Sequence, residues 1–284
     1  MPFGPMFLLV LCAMLVHGVN LAKDKKHCES DAYNDTYPFT PPVVDSRIGV
    51  KRYRIAMIAD LDRNSRDGTN EAWKSKLKTG GLTSNSPGGH FAVEWDKDVT
   101  LKSRFAYGGR GMELSELVVF DGKLLTFDDR TGIIYQVRDD TVIPWVILND
   151  GPGNSTKGFR AKWATVKKKT LYVGGHGTEY GTGLKKSNNP QWVKLVTPSG
   201  RVRHRFWQER YLALKNWSGV PASGYITYEA VNWSPLHKQW FFLPRKSSHK
   251  KYNKKTDEKK GTNTLLRANL KFNNLTEQII GPKK

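Results

Sequence analysis

The chain has 284 residues, a formal net charge of +20 and 38% hydrophobic residues, enough apolar material for a core in one large domain or two small ones. Such a basic surface attracts polyanions, but the aromatic strand motifs of RNA-binding modules are missing from the sequence. Nine Trp, 11 Tyr, 26 Gly and 14 Pro favour a β-rich, turn-rich protein.

The N-terminal segment predicts export. FLLVLCAMLV, residues 7–16, is apolar but too short to span a bilayer, and the small residues Gly18 and Ala22 follow it. We therefore expect a signal peptide over residues 1–22 and a secreted, extracellular protein. The alternative is a buried apolar segment, because no Lys or Arg precedes the run. No later segment is apolar for long enough to cross a membrane.

Cysteine usage and sequons extend this prediction. Loss of Cys12 with the signal would leave Cys28 alone, so no internal disulfide is expected. Cys28 either pairs with a second chain, giving a homodimer, or stays free in an extended, proline-containing arm over residues 23–48. Five N-x-S/T sequons predict a glycoprotein. They begin at Asn34, Asn154, Asn216, Asn232 and Asn274.

The folded part is expected over residues 49–284. Its first element is a strand over Tyr53–Asp60 that ends in an acidic turn. A short helix is predicted around Glu71–Lys78. The alternation in HFAVEWD predicts a second strand over His90–Asp96.

Three later segments repeat one pattern. GMELSELVVFDGKLLTF starts at Gly111, GFRAKWATVKKKTLYVG at Gly158 and GYITYEAVNWSPLHKQWFFL at Gly224. Each has a Gly, alternating strand residues, a polar turn and a second apolar strand, and the first two copies stay in register to Leu124 and Leu171. A repeat of roughly 45 residues built of short strands favours a β-propeller over a sandwich.

Equivalent positions in the blades of a propeller point to one place around its axis. The alignment of the copies superimposes Ser115, Lys162 and Glu229 near the start of a strand. Converging oxygen ligands would suit Ca²⁺. The alternative is that these are ordinary polar residues at strand ends.

Acidic turns form a second constellation. IADLDRNSRD carries Asp60, Asp62 and Asp67, and LTFDDRTG carries Asp128 and Asp129. Most such aspartates are plain turn residues. The D-x-D spacing lacks the rest of an EF-hand loop, and no zinc-protease, P-loop or G-x-S-x-G motif is present, which disfavours those chemistries.

The sequence also contains a strongly basic run. RKSSHKKYNKKTDEKK, Arg245–Lys260, carries many more basic than acidic residues. It is either a solvated loop between strands or a contact for polyanions.

A set of ordered motifs between Tyr53 and Asn269 carries a family resemblance. IADLD, AVEWDKD, GRGMELSELVVFDGKLL, DDRTGIIYQV, PWVILNDG, WVKLV, GYITYEAVNW and QWFFLPRK follow one another as they do in the calcium-activated nucleotidases. This family includes calcium-dependent apyrases, some of them salivary proteins of blood-feeding arthropods. The resemblance implies an all-β, five-bladed β-propeller, here with a fifth blade incomplete at the C-terminus.

The resemblance also implies an activity and its residues. The activity is Ca²⁺-dependent hydrolysis of nucleoside di- and triphosphates such as ADP, ATP, UDP and GDP to monophosphate and inorganic phosphate. Ser115 and Glu229 match calcium-binding positions. An acidic cluster at the phosphate site is matched by Asp60, Glu113 and Asp128, and its cationic side by Arg110 and Arg130.

One position departs from the family pattern. Where that pattern has a calcium-binding glutamate, in F-K-A-E-W, this chain has Lys162. An ammonium cannot coordinate a metal, so Lys162 either turns outward or takes the place of the ion in holding phosphate. The expected function is a secreted apyrase. The alternative is a catalytically weakened relative that binds nucleotides or other polyanions through its basic surface, while a plain structural glycoprotein would leave the acidic cluster unexplained.

Overall fold

The computed structural model describes residues 32–35, 42–68, 71–84, 89–179 and 186–282. Within these ranges the chain forms sixteen β-strands, one α-helix and a few short 3₁₀ turns. The predicted signal peptide and Cys28 lie outside the described residues. No helix in the described part has the length and apolar character that a membrane crossing requires.

The strands form four antiparallel sheets of four strands each. Sheet 1 contains β1 (Val43–Asp45), β2 (Val50–Ala59), β3 (Trp73–Ser84) and β4 (Phe91–Ser103). Sheet 2 contains β5 (Leu114–Phe120), β6 (Lys123–Asp128), β7 (Ile133–Arg138) and β8 (Thr141–Ile147). Sheet 3 contains β9 (Trp163–Lys167), β10 (Thr170–Gly174), β11 (Trp192–Val196) and β12 (Val202–Phe206). Sheet 4 contains β13 (Tyr225–Ser234), β14 (Gln239–Ser248), β15 (Thr264–Ala268) and β16 (Leu275–Ile279), and α1 (Gln208–Trp217) lies between sheets 3 and 4 in sequence.

Each sheet is a meander in which consecutive strands pair. The β5–β6 hairpin shows how the sequence specifies the turn. Leu114 pairs with Asp128 and Phe120 with Lys123, and Asp121 and Gly122 between them both have positive φ. Asp-Gly suits this left-handed two-residue turn, whose twist matches that of the flanking strands.

The repeat predicted from the sequence is confirmed in sheets 2, 3 and 4. Gly111, Gly158 and Gly224 each precede the first strand of a sheet. A Cβ at Gly158 would lie 2.3 Å from the backbone of Thr131, so only glycine permits this approach of sheet 3 to sheet 2. The strands β2, β5, β9 and β13 contact one another in that order, as the innermost strands of a propeller do.

Apolar side chains fill the spaces between the sheets in three clusters. The first cluster joins sheets 3 and 4. In it the Trp207 ring centroid lies 5.7 Å from that of Trp163 and 5.1 Å from that of Trp240. The second joins sheets 2 and 3 and includes Phe120 and Leu171. The third lies between sheets 1 and 2. Each fully buried large side chain contributes about 1.5–3 kcal/mol, so these clusters hold the sheets in place.

The structure corrects two expectations. The described residues form four blades rather than five, because β15 and β16 complete the fourth sheet instead of starting a fifth: Ala268 pairs with Trp240 of β14. The helix predicted at Glu71–Lys78 is wrong, because β3 occupies this segment from Trp73 onward. Ser75 and Leu77 are buried and Lys76 between them is exposed. This alternation of buried and exposed residues is typical of a strand.

The two strands predicted early in the chain are confirmed with shifted ends. β2 starts at Val50 and ends at Ala59, and β4 extends from Phe91 to Ser103. The region predicted as an extended arm contains the short strand β1, in which Val43 pairs with Arg52.

Candidate active site

The charged side chains singled out in the sequence meet at one end of sheet 2. Because β5 and β6 are antiparallel, the start of β5 lies beside the end of β6, where Leu114 pairs with Asp128. The amide of Asp129 donates to the carbonyl of Glu113 at 3.2 Å. Segment 110–113 and turn 128–131 therefore form one unit.

Asp128 organises this unit from within. Its carboxylate is fully buried and accepts hydrogen bonds from the amide of Met112 (2.8 Å), the hydroxyl of Thr131 (2.8 Å) and the amide of Arg130 (3.0 Å). Burial raises the pKa of Asp128, although these hydrogen bonds act in the opposite direction. The carboxylate holds Met112 in a left-handed conformation and fixes the backbone on both sides of the site.

Glu113 holds two arginines. Its carboxylate is 1% exposed. It receives a bidentate pair from Arg110, with Nε–Oε1 at 2.5 Å and Nη2–Oε2 at 2.7 Å, and a hydrogen bond from Nε of Arg130 at 2.6 Å. The two arginine side chains are 29% and 23% exposed. Their remaining N–H groups therefore reach solvent from a fixed position, which suits the binding of an anion.

The loop after β2 brings a carboxylate to the same arginines. Asp60 Oδ1 accepts a hydrogen bond from the amide of Asp62 at 2.7 Å, and Asp62 has a φ of 49°. This turn directs the exposed Asp62 carboxylate to Nη2 of Arg110, and it lies 3.8 Å from Nη2 of Arg130. Asp62 thus occupies a position where two guanidinium groups can bind an anion.

The three positions aligned by the repeat also come together. Lys162, just before β9, lies with its Nζ 2.8 Å from Oδ2 of Asp129 and 3.8 Å from Oε2 of Glu229. The Ser115 hydroxyl, on β5, donates to the carbonyl of Ala161 at 3.4 Å. Lys162 and Glu229 therefore lie in one cluster, and Ser115 adjoins it through the residue that precedes Lys162.

The surroundings of this axial position are strongly cationic. Arg160 Nη2 lies 3.2 Å from Oδ2 of Asp129, and Arg130 Nε lies 3.2 Å from Oδ1. Burial of Asp129 opposes ionisation, but Lys162 and these arginines outweigh it and hold the pKa of the carboxyl below its ordinary value. Burial, together with the charges of Lys162 and Arg160, lowers the pKa of His176 to about 4, so the imidazole is neutral at physiological pH.

A divalent ion does not fit the axial position in this arrangement. Among the described residues, no three His, Cys, Asp or Glu side chains are grouped as metal ligands. Glu229 lies between Lys162 and Arg245, whose Nη1 is 3.6 Å from Oε1. A doubly charged ion about 4 Å from the Lys162 ammonium would be repelled by about 8 kcal/mol at an effective dielectric near 20.

One oxygen in the cluster does lack a hydrogen-bond donor. The buried Oδ1 of Asp129 accepts no hydrogen bond from the described residues. It is a single potential metal ligand and faces Arg130, so it does not change this conclusion.

Sequence reasoning overlooked several members of this site. Asp62 and Asp129 were noted only as turn residues, and Arg160 and Arg245 were not singled out as site residues. Arg160 lies two positions before Lys162, and Arg245 opens the basic run. The one available signal was the D-x-D spacing, which places Asp62 two residues beyond Asp60.

Comparisons with known proteins agree in their assignment. The sequence profile of the family Apyrase matches residues 61–284. The chain is 48% identical over 252 residues to the soluble calcium-activated nucleotidase 1 of Mus musculus, an alignment that covers 88% of this chain and 62% of the mouse protein. It is 46% identical over 225 residues to the apyrase apy-1 of Caenorhabditis elegans, covering 78% of this chain and 63% of the relative.

A third relative aligns over more of its own length. The chain is 43% identical over 270 residues to an apyrase of Cimex lectularius, covering 93% of this chain and 72% of that protein. This chain thus spans somewhat under two thirds of the mouse and nematode relatives. The family profile matches more than half of the chain, so the chain belongs to the apyrase family.

Proposed function

We propose that this protein hydrolyses the terminal phosphoryl group of nucleoside di- and triphosphates, including ADP, ATP, UDP and GDP. Membership of the apyrase family and the names of its relatives support the reaction. One structural observation carries the proposal. Arg110 and Arg130 are locked on the buried Glu113 and present their free N–H groups to an anion-binding position now taken by Asp62.

The two arginines supply the electrostatic part of the mechanism. A terminal phosphoryl group displaces the Asp62 carboxylate and accepts hydrogen bonds from both guanidinium groups. Charge on the non-bridging oxygens is then stabilised as the bond to the leaving oxygen breaks. Glu113 does not touch the substrate in this scheme. It is a positioning residue that fixes Arg110 and Arg130 before the substrate binds.

The carboxylate that orients water must be reachable from solvent. Asp128 is fully buried and saturated with hydrogen bonds, so we assign it the role of holding the loop. Asp60 is exposed and adjacent in sequence to the loop that reaches the arginines. We propose that Asp60 orients the attacking water and accepts its proton, while the nucleoside monophosphate or diphosphate leaves.

Calcium enters the proposal as an activator of turnover. The mouse relative is named for calcium activation, and we extend a requirement for Ca²⁺ to this chain. Ser115 and Glu229 were the predicted ligands, but the residues around them do not fit a divalent ion. The proposed Ca²⁺ is therefore one that arrives chelated by the phosphates of the nucleotide, since hard cations bind such oxygens.

The test is phosphate release from ADP by the purified full-length chain, with millimolar Ca²⁺ and with chelator. We expect release with Ca²⁺, none with chelator or with Mg²⁺ alone, and a loss of at least about 100-fold in Arg110→Ala. Arg201→Ala is the matched control, because Arg201 lies in the β11–β12 turn at the opposite end of sheet 3. Absence of release from folded protein would refute the proposal in favour of a nucleotide-binding relative without catalysis.

The remaining expectations are also proposals. We infer secretion and N-glycosylation, supported by the solvent exposure of the asparagine in all five sequons. The shift in electrophoretic mobility on deglycosylation of secreted protein tests this.

Non-reducing electrophoresis tests a homodimer linked through Cys28. Heparin affinity tests polyanion contact through Arg245–Lys260, where the lysines of residues 250–255 are exposed.

A further inference from the structure

Lys162 does not turn away from the axial position. Its side chain is only 14% exposed, and its backbone amide is fixed by a 2.8 Å hydrogen bond to the carbonyl of Gly174. The ammonium bridges Asp129 in the turn of sheet 2 and Glu229 on β13 of sheet 4. One cation on sheet 3 thus ties together carboxylates from its two neighbouring sheets.

Positive charge exceeds negative charge around this ammonium. The ammonium lies near two carboxylates, those of Asp129 and Glu229, whereas four cations lie within 4 Å of these two: Lys162, Arg160, Arg245 and Arg130, the last of which also pairs with Glu113. Arg160 and Arg245 are 54% and 56% exposed. Each guanidinium carries five N–H donors and engages one carboxylate here, so most of its donors remain available to a ligand.

This cationic group adjoins the arginine pair of the candidate active site. Arg130 belongs to both, since its Nε contacts Glu113 at 2.6 Å and Asp129 at 3.2 Å. A ligand with two linked phosphates can therefore place one on Arg110 and Arg130 and the other beside Lys162.

We propose that Lys162, Arg160 and Arg245 form a second phosphate subsite, the axial cation cluster, in which the Lys162 ammonium takes the place of a bound divalent ion. The inference rests on the proposed function for its ligand, a nucleoside di- or triphosphate. The cluster binds the phosphate next to the one that is removed. It thereby selects chains of two or more phosphates over monophosphates.

The first experiment measures binding without turnover. Calorimetry of the full chain with inorganic pyrophosphate in the presence of EDTA measures phosphate binding. Thermal unfolding with CaCl₂ alone measures metal binding separately. We expect the native chain to bind pyrophosphate and to show no rise in Tm with CaCl₂. Lys162→Met is expected to weaken pyrophosphate binding about tenfold, the value of a lost charge-assisted hydrogen bond.

Two variants and one control sharpen the result. Lys162→Glu restores a carboxylate at the axis, so it is expected to lose pyrophosphate binding and to gain a CaCl₂-dependent rise in Tm. Arg245→Ser removes an exposed side chain and keeps the proposal testable if the Lys162 variants do not fold. Lys271→Met is the control, because Lys271 lies in the exposed β15–β16 turn at the opposite end of sheet 4 and should bind as the native chain does.

Either of two outcomes would overturn the proposal. A native chain stabilised by CaCl₂ alone would show that Lys162 leaves room for a metal. Unchanged pyrophosphate binding in Lys162→Met or Arg245→Ser would show that the cluster is not a subsite. Because these measurements need no hydrolysis, they can fail while phosphate release from ADP persists, and the two proposals are judged independently.

Discussion

Replacement of Glu113 by glutamine tests how the arginine pair is held. Glutamine preserves the shape of the side chain but removes the negative charge, and it places an amide N–H₂ against guanidinium N–H groups. Three hydrogen bonds of 2.5–2.7 Å converge on this carboxylate in the native chain. The variant leaves at least one of them without an acceptor and leaves Arg110 without its buried counter-charge, whereas Arg130 keeps the buried Asp129 at 3.2 Å.

The expected loss of stability follows from the burial of the three partners. Breaking a fully buried pair by removing one member costs about 3–5 kcal/mol. Because both arginines are 23–29% exposed, water compensates part of this, and we expect a loss of about 2–4 kcal/mol in the free energy of unfolding. Phosphate release from ADP should fall as well, since the freed guanidinium groups lose their fixed orientation.

Urea denaturation at neutral pH measures the loss of stability, and phosphate release from ADP measures the loss of turnover. Both are carried out on the native chain, Glu113→Gln and a control variant. Glu277→Gln is the matched control, because Glu277 is exposed on the edge strand β16, and we expect it to stay within about 0.5 kcal/mol of the native chain. A loss below about 1 kcal/mol in Glu113→Gln with unchanged turnover would refute the reasoning, since the arginines would then not depend on the buried charge.

Three further predictions concern separate features of the molecule. Burial lowers the pKa of Lys194 to about 8. Between that pH and the ordinary lysine pKa, Lys194 is therefore protonated in the unfolded chain and largely neutral in the folded chain. Native stability should rise with pH across this window, and urea titrations of Lys194→Met should lack the rise. Asp257 pairs with Lys246 at the base of the basic loop. Asp257→Asn should therefore speed tryptic cleavage within residues 249–260, whereas equal rates would show that the pair does not hold the loop. Asp62→Asn removes a carboxylate that competes with phosphate, so the KM for ADP should fall about two- to fivefold, and an unchanged or higher KM would contradict this role.

The pattern of the repeat explains why the proximity of Lys162 and Glu229, with Ser115 beside them, was predictable. Each follows a glycine by a few residues, and each glycine precedes the first strand of a blade. Ser115 and Lys162 follow their glycines by four residues and Glu229 follows its glycine by five, so the three hold nearly equivalent positions in blades that surround one axis. The sequence could predict this placement because it requires only the strand register within each blade.

Other features depended on contacts that local sequence does not encode. The pairing of Asp62 with Arg110 joins sheet 1 to sheet 2 and follows from the way the sheets pack. A helix was wrongly predicted in the segment around Trp73, because its lysines and leucine also suit a helix. Pairing with β2 and β4 makes this segment a strand. The expectation of five blades came from the family resemblance, whereas strand pairing in the structure gives four.

Burial separates the acids of this site from its bases. Glu113, Asp128 and Asp129 are essentially inaccessible to solvent, whereas the arginines and Lys162 that Glu113 and Asp129 hold are each partly exposed. A site that bound calcium directly would need several oxygen ligands that are not already paired with cations. Here the inward-facing Glu113 and Asp129 act as fixed supports for guanidinium and ammonium groups, and the more accessible Asp62 and Glu229 are paired with cations as well. The surface offered to a ligand is therefore cationic, which matches the phosphate chain of a nucleotide and leaves any calcium to arrive with that chain.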